Sequence, residues 1–267
     1  GRSAVEVTSE EGALKELPVE KFWETLSSAI KAALVQAEAN PSEVQGISYS
    51  SQANSFLFFN EHFTPLTPLI LWTDSRPDYV PPELKEIWAQ ENFLESTGNG
   101  GYPSPTLAAA KILWLRQTRP RLWEKTKYIM TISDYLVHSL VGRRAGDAGT
   151  GLLTGMINPT NIEWWPPALE RLDIPREMLS DPLRPGSYAG KTNEGAEEKL
   201  GLPAGIPLAV GSLDHHVAAL GAGVGTAAPL SESTGTVLAC VCIKDDYMPR
   251  EEICTGPGFA RDYFQLA

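Results

Sequence analysis

The chain has 267 residues, of which 42% are hydrophobic and 21% are charged, a balance typical of an ordinary globular protein. Its formal net charge of -11 argues against a nucleic-acid-binding protein, which needs a basic surface for the phosphates. No apolar run approaches the roughly 20 residues that cross a bilayer, and the first 17 residues hold no apolar segment of a secretory signal. We therefore expect a cytoplasmic protein that binds neither nucleic acid nor membrane.

The first 60 residues predict the order strand, helix, strand. Residues 5–7 alternate in polarity and predict a short strand. Pro18 opens a stretch whose apolar residues recur every three or four positions, which predicts an amphipathic helix. Residues 44–49 and 56–59 predict buried strands, with a polar loop at 50–54 between them. This order is typical of an α/β core.

The middle of the chain is dominated by helical patterns divided by proline and glycine. The predicted helices are 83–90, 106–117, 133–141, one that starts at Pro166, and 193–200. Residues 206–210 and 236–243 then predict strands on either side of a short helix at 214–220. We expect one domain over 1–267, with an α/β core from residues 1–60 and 205–267 and a mostly helical insertion at 61–204.

Asp214 follows the predicted strand 206–210 directly, in the run Gly211-Ser212-Leu213-Asp214, and begins the next helix. Open α/β sheets bind ligands beyond the carboxyl ends of their strands. The amide dipoles at a helix N-terminus favour an ionised carboxylate, which can accept a proton from a hydroxyl. From the spacing alone, a helix-capping role is the favoured alternative.

Two earlier segments have side chains suited to sugar recognition. The run from Trp72 to Arg76 places an indole, the Asp74 carboxylate and a guanidinium in one short loop. An Asp74–Arg76 ion pair within the protein explains the same residues equally well. Gln52 and Asn54 carry amides that both donate and accept hydrogen bonds, although loop amides are usually only solvated.

The C-terminal third contains a hydroxyl-rich turn and no convincing metal site. Ser233-Thr234-Gly235-Thr236 offers amides and hydroxyls that can surround phosphate oxygens, with a simple hairpin turn as the alternative. The one Cys-x-Cys pair lacks a second pair or neighbouring histidines. His215 and His216 are adjacent, so on most backbones they point to opposite sides. We expect no metal held by protein side chains.

Taken in order, these segments resemble the FGGY family of carbohydrate kinases, in particular its xylulokinase-like branch. Residues 46–54 and 68–76 resemble the sugar-binding loop and the Trp-x-Asp-x-Arg motif of the family. Residues 111–114, 134–136 and 147–154 resemble landmarks of its helical insertion. Residues 211–215 are similar to its Gly-x-x-Asp segment and residues 233–236 to its second phosphate loop. The resemblance covers nearly the whole chain.

The resemblance implies a ribonuclease H-like (actin-like ATPase) core with a helical insertion. It also implies a kinase that transfers the γ-phosphate of ATP to a hydroxyl of a small, pentulose-like sugar or polyol, with Mg²⁺ bridging the phosphates. By position, the catalytic base is Asp214, the sugar-binding residues are Gln52, Asn54, Asp74, Arg76 and His215, and the nucleotide-binding residues are Gly235 and Thr236.

Two parts of the family pattern have no counterpart in this sequence: the opening Asp-x-Gly-Thr strand and the second actin-like domain. We therefore expect an N-terminal-type domain truncated at both ends, which alone is inactive or weakly active. A non-catalytic sugar-binding or regulatory module of the same fold is the alternative function. Asn54 and His215 differ from the residues common in the xylulokinase-like branch, which leaves the sugar open. A homodimer is also left open.

Overall fold

A computed structural model of the protein describes residues 1–10, 13–235 and 237–267. The strands are β1 (Thr8–Glu10), β2 (Leu14–Leu17), β3 (Ser50–Ser51), β4 (Phe56–Phe59), β5 (Leu69–Ile70), β6 (Tyr128–Thr131), β7 (Ala145–Asp147), β8 (Ile157–Asn158), β9 (Glu163–Trp164), β10 (Asp181–Leu183), β11 (Tyr188–Lys191), β12 (Pro207–Ala209), β13 (Ser212–Leu213), β14 (Leu230–Thr234), β15 (Leu238–Lys244), β16 (Cys254–Pro257) and β17 (Tyr263–Leu266). The helices are α1 (Val19–Gln36), α2 (Pro82–Trp88), α3 (Phe93–Thr97), α4 (Ala108–Thr118), α5 (Pro120–Lys125), α6 (Ile132–Val141), α7 (Ala148–Leu152), α8 (Pro166–Leu172), α9 (Glu194–Leu200) and α10 (Asp214–Gly221).

The larger sheet has the strand order β1-β2-β5-β4-β6, and its neighbouring strands run antiparallel. All four residues of β4 are buried, because successive side chains point to opposite faces of the sheet and both faces are covered. Phe56 and Phe58 enter one hydrophobic cluster, which includes α2, α4 and α8. Leu57 and Phe59 enter a second cluster, which includes α1 and α6. The larger sheet therefore separates two apolar cores.

Helix α1 begins directly after Pro18, as its sequence pattern predicts. It buries Trp23 against α6, where the indole Nε1 donates a hydrogen bond to Tyr135 Oη at 3.0 Å. Phe22, Leu26, Ile30 and Leu34 pack on the second cluster from the same side of the helix. None of the helices in the described part of the chain combines the length and apolar character that a membrane crossing requires.

The two ends of the chain meet in a short parallel pairing. Strand β3 pairs with β13 so that Ser50 lies opposite Ser212, and Ile47 forms a parallel bridge to Leu208. The backbones approach closely at Gly211, where an added Cβ would lie 1.6 Å from the carbonyl oxygen of Tyr49. Glycine is thus required where these distant segments come together.

Replacing this glycine should destabilise the fold. We expect Gly211→Ala to lower the free energy of unfolding by about 1–3 kcal/mol, because the methyl group forces the strands apart. Gly221→Ala is the matched control, since a Cβ there meets nothing within 4 Å and alanine favours the helix. Urea unfolding of both variants checks this result, and equal midpoints for the two would contradict the close approach.

The C-terminal sheet has the order β14-β15-β17-β16, with antiparallel neighbours. Val241 and Phe264 on its inner face are buried against Ala219 of α10. The ring of His216, also on α10, stacks on Phe264 with a centroid separation of 4.3 Å. Leu230 and Leu238 lie on the outer face and are more than half exposed. Helix α10 therefore packs on the inner face of the C-terminal sheet.

Most predicted elements are present, and the mixed α/β class is confirmed. The helices predicted with both bounds all begin and end within two residues of those bounds. The strand predicted at 5–7 is wrong: residues 1–7 are all described and form no strand, and the first strand begins at Thr8, where pairing with Glu16 becomes available. The segment 61–204 contains strands as well as helices, and β5 and β6 pair with β4. The division into core and insertion stays a prediction.

The buried strand predicted at 44–49 is also wrong. In that segment only Ile47 forms a bridge, and none of its six residues is fully buried. The strand pairing begins instead at Ser50, in the segment predicted as a polar loop. The apolar pattern of 44–49 therefore predicted a strand in the right region, but the strand lies directly after the predicted residues.

Candidate functional site

A cavity of about 370 Å³ lies where β3 and β13 end. Parallel strands place their carboxyl ends at the same edge, so Gln52, one residue after β3, and Asp214, directly after β13, face the same space. The structure brings together these predicted site residues around the cavity: Gln52, Asn54, Asp214, His215 and Gly235. Segments that are far apart in sequence thus converge on one pocket.

Asp214 is the first residue of α10, and Leu213 occupies the N-cap position. Its side chain is exposed, and Oδ1 accepts a hydrogen bond from the backbone N–H of His215 at 2.8 Å. The carboxylate therefore lies in the first turn of the helix, beside the backbone N–H groups of the helix start. Such a carboxylate can serve as a proton acceptor for a hydroxyl bound in the cavity.

The side chain of Asn54 is held by the first residue of α4. Its backbone is left-handed, with φ of 56°, and its Oδ1 accepts a hydrogen bond from Ala108 N at 2.9 Å. Ala108 begins α4, so the amide oxygen of Asn54 satisfies one of the free N–H groups at that helix end. The NH₂ group of Asn54 is then the donor that it offers to a ligand.

Asp74 and Arg76 lie elsewhere. Neither is among the described residues that line the cavity. Asp74 is buried, and its carboxylate accepts hydrogen bonds from Arg76 Nε at 3.0 Å and from Lys15 N at 2.8 Å. Arg76 also pairs with Glu16 at 2.7 Å. The internal Asp74–Arg76 ion pair that the sequence left open is therefore present, and its contacts with Lys15 and Glu16 join β2 to the loop after β5.

Trp72 also lines the cavity; its indole belongs to the loop predicted to suit sugar recognition, although the resemblance assigned it no role. It stands two positions before Asp74, and its half-buried indole offers the flat apolar face that binds sugar rings. The signal for it was the aromatic residue in the loop. The apolar lining of the cavity also includes Leu153, Val237 and Leu266. These residues are far apart in sequence, so no sequence pattern predicted that they lie together.

The predicted phosphate loop, residues 233–236, is described by the structure except for Thr236. Thr236 lies outside the described residues, so its role stays a prediction. Ser233 and Gly235 line the cavity, and an added Cβ at Gly235 would meet nothing within 4 Å. The backbone at Gly235 therefore faces open space.

The two adjacent histidines point in different directions, as predicted. His215 lines the cavity, whereas His216 is buried, with Nδ1 3.2 Å from Ser212 Oγ. Burial lowers the pKa of His216 to about 3, so its imidazole is neutral at pH 7. No group of three or more His, Cys, Asp or Glu side chains within residues 1–10, 13–235 and 237–267 is arranged to hold a metal ion.

A buried polar network supports β3 from the side of α6 and α7. The Asp147 carboxylate accepts hydrogen bonds from Thr150 N at 2.6 Å and from Ser133 Oγ at 2.7 Å. Ser133 Oγ also lies 2.5 Å from Tyr49 Oη. Burial raises the pKa of Asp147 and of Tyr49. Asp147 thus caps α7 and, through Ser133, braces Tyr49 immediately before β3.

Residues 2–221 match the FGGY family of carbohydrate kinases, N-terminal domain. An autoinducer-2 kinase of Escherichia coli O9:H4 (strain HS) is 28% identical over 213 residues, which are 78% of this chain and 39% of the relative. A xylulose kinase of Staphylococcus epidermidis (strain ATCC 12228) is 26% identical over 204 residues, which are 76% of this chain and 40% of the relative. The chain spans about two fifths of the length of these curated relatives.

Solved structures show the same fold. A xylulose kinase from Rhodospirillum rubrum superposes with a TM-score of 0.84 at 19% identity, over 98% of this chain and 54% of that chain. A kinase from Brucella ovis, described as a xyloylose kinase, superposes with a TM-score of 0.83 at 21% identity, over 99% of this chain and 54% of that chain. The likeness extends beyond residue 221, since nearly all of this chain superposes.

Proposed function

Because the chain belongs to the FGGY family of carbohydrate kinases, we propose that it carries the sugar-binding and proton-accepting part of a kinase. The reaction transfers the γ-phosphate of ATP to a hydroxyl of a small, pentulose-like sugar or polyol. One observation carries the proposal: a single cavity is lined by Gln52, Asn54, Trp72, Asp214, His215 and Gly235. Hydrogen-bonding groups, an aromatic face and a proton acceptor thus surround one space.

Asp214 is the base in this mechanism. As the sugar hydroxyl attacks the γ-phosphorus, its proton passes to the Asp214 carboxylate, and ADP leaves with the electrons of the broken P–O bond. ATP supplies the phosphoryl group, with Mg²⁺ on its phosphates. Ser233 and Gly235 line the same cavity and would face those phosphates. The residues of this chain mainly orient the hydroxyl and accept its proton.

The polar groups of the cavity fit a compact polyhydroxylated ligand. The amide of Gln52 and the imidazole of His215 can both donate to and accept from hydroxyls, and the NH₂ group of Asn54 can donate to them. The indole of Trp72 can cover an apolar face of the sugar. The named relatives act on xylulose and on autoinducer-2, so these two compounds are the first candidates for this chain.

Calorimetric titration of the chain with xylulose, autoinducer-2 and Mg·ATP tests the proposal. We expect at least one of the two small ligands to bind, and Gln52→Ala to weaken that binding about tenfold through loss of hydrogen bonds to the ligand. Gln36→Ala is the matched control, since Gln36 is exposed at the end of α1. Binding of neither ligand would count against the proposal. If the protein binds xylulose or autoinducer-2 but transfers no phosphoryl group, a non-catalytic sugar-binding module is favoured over a kinase.

A further inference from the structure

A lysine is buried beneath the loops of the cavity. Lys111 lies on α4 with 1% of its surface exposed. Its Nζ donates hydrogen bonds to the carbonyl oxygens of Leu71 at 2.7 Å and of Asn54 at 2.9 Å. Burial lowers the pKa of Lys111 to about 7, against the opposing attraction of the Asp74 carboxylate. A buried amine with two carbonyl partners is uncommon, because removing an ammonium from water is costly.

The two carbonyls belong to two of the loops that line the cavity. Asn54 lies in the loop that carries Gln52, and Leu71 immediately precedes Trp72. The loops also meet directly, since Trp72 N donates a hydrogen bond to Ser55 Oγ at 2.9 Å. Lys111 thus lies at the junction of the segments that supply the amides and the indole of the pocket.

Two contacts from one helix hold the conformation at this junction. Asn54 has a left-handed backbone with φ of 56°, which asparagine adopts more readily than most other non-glycine residues. Lys111 fixes the carbonyl of Asn54, while Ala108 N fixes its side-chain oxygen. Both contacts come from α4, so one helix sets the orientation of the residue.

An apolar side chain of similar length would fill the space without desolvating a charge. It would leave the carbonyls of Asn54 and Leu71 buried without their lysine donor. The Asp74–Arg76 pair lies near the ammonium, with Asp74 attracting it and Arg76 repelling it. These two residues, predicted as sugar ligands, are therefore placed to act on the pocket through Lys111.

We propose that Lys111 is a positioning residue of the sugar pocket, whose ammonium joins the Asn54 and Leu71 carbonyls and thereby orients the Asn54 amide and the Trp72 indole. The role rests on the proposed function, because the pocket is taken to bind a sugar. Lys111 makes no contact with the sugar in this scheme. It acts through the two loops.

The test compares Lys111→Met with Leu115→Ala, a buried change one turn further along the same helix. We expect Lys111→Met to weaken binding of xylulose or autoinducer-2 roughly tenfold or more, because charge-assisted hydrogen bonds are lost. Leu115→Ala should lower the unfolding midpoint while binding stays within about twofold, since Leu115 makes neither carbonyl contact and is not among the described residues that line the cavity. Lys111→Arg keeps two donors and should recover part of the binding.

Amide hydrogen exchange supplies a readout that needs no sugar. Faster exchange in Lys111→Met confined to residues 53–55 and 71–74 is expected, whereas Leu115→Ala should raise exchange more broadly. Unchanged exchange in both loops, equal weakening by Leu115→Ala, or no recovery with a folded Lys111→Arg would each overturn the positioning role. If the unaltered chain binds no sugar, the proposed function fails, and the exchange comparison still decides whether Lys111 holds the loops.

Discussion

Replacing Asp214 with asparagine should lower the rate of phosphoryl transfer by about 10²–10⁴-fold, because a general base contributes an acceleration of that size. Asparagine keeps the size of the side chain and can accept the hydrogen bond from His215 N, so the helix start should persist. The amide cannot take the proton of the sugar hydroxyl. We therefore expect kcat to fall while the affinity for the sugar changes little.

The rate is measured as sugar-dependent release of ADP. The same polypeptide is assayed with and without the substitution, and the version without it must show the activity. Asp246→Asn serves as the control, since it removes the same charge from an exposed position outside the cavity. A kcat for Asp214→Asn above about one tenth of the unaltered value would exclude Asp214 as the base. Unchanged sugar affinity in the same variant would confirm that the pocket is intact.

The second large effect is a pair of opposing pH dependences in stability. His216 has a pKa of about 3 when folded, below its ordinary 6.5, because of burial. The unfolded chain therefore binds more protons between pH 6.5 and 3, and stability from this group falls as the pH falls. Asp134 has a folded pKa of about 7, above its ordinary 3.8, also because of burial. The folded chain binds its proton more tightly, so stability from Asp134 rises as the pH falls through 7.

Between pH 7.5 and 4.5 each group changes the free energy of unfolding by about 3 kcal/mol, with opposite signs. Urea unfolding at the two values should show this through single variants. Relative to the unaltered chain, acidification should make His216→Gln more stable by about 3 kcal/mol and Asp134→Asn less stable by about 3 kcal/mol. The amide oxygen introduced by Asp134→Asn can still accept the hydrogen bond from Thr131 N that closes the cap of α6. The same pH response in both variants would refute the assignment.

Local periodicity predicted most of the secondary structure. The apolar spacing of α1 and the unbroken apolar run of β4 both correspond to buried surfaces, so the pattern and the packing agree. The prediction of a short strand at 5–7 was wrong because a strand forms only where a neighbouring strand can pair with it. Val5 and Val7 are exposed, and pairing begins only at Thr8.

The site could be predicted in part. Gln52 and Asp214 each follow a strand, and the rule for α/β sheets correctly places them together. Asp74 and Arg76 could not be assigned, because a carboxylate and a guanidinium two residues apart suit a sugar and each other equally well. Lys111 was identified only as a landmark, since burial of its ammonium depends on two carbonyls from distant loops.

The parallel pairing of β3 with β13 also bears on how the protein is made. Ser50 and Ser212 are paired yet 162 positions apart, so the pairing closes a very long loop. At about 5–20 residues per second, a ribosome needs roughly 8–30 s to add the residues between them. The first pocket loop therefore leaves the ribosome well before its partner has been made, and the candidate site cannot assemble until Ser212 and Asp214 follow.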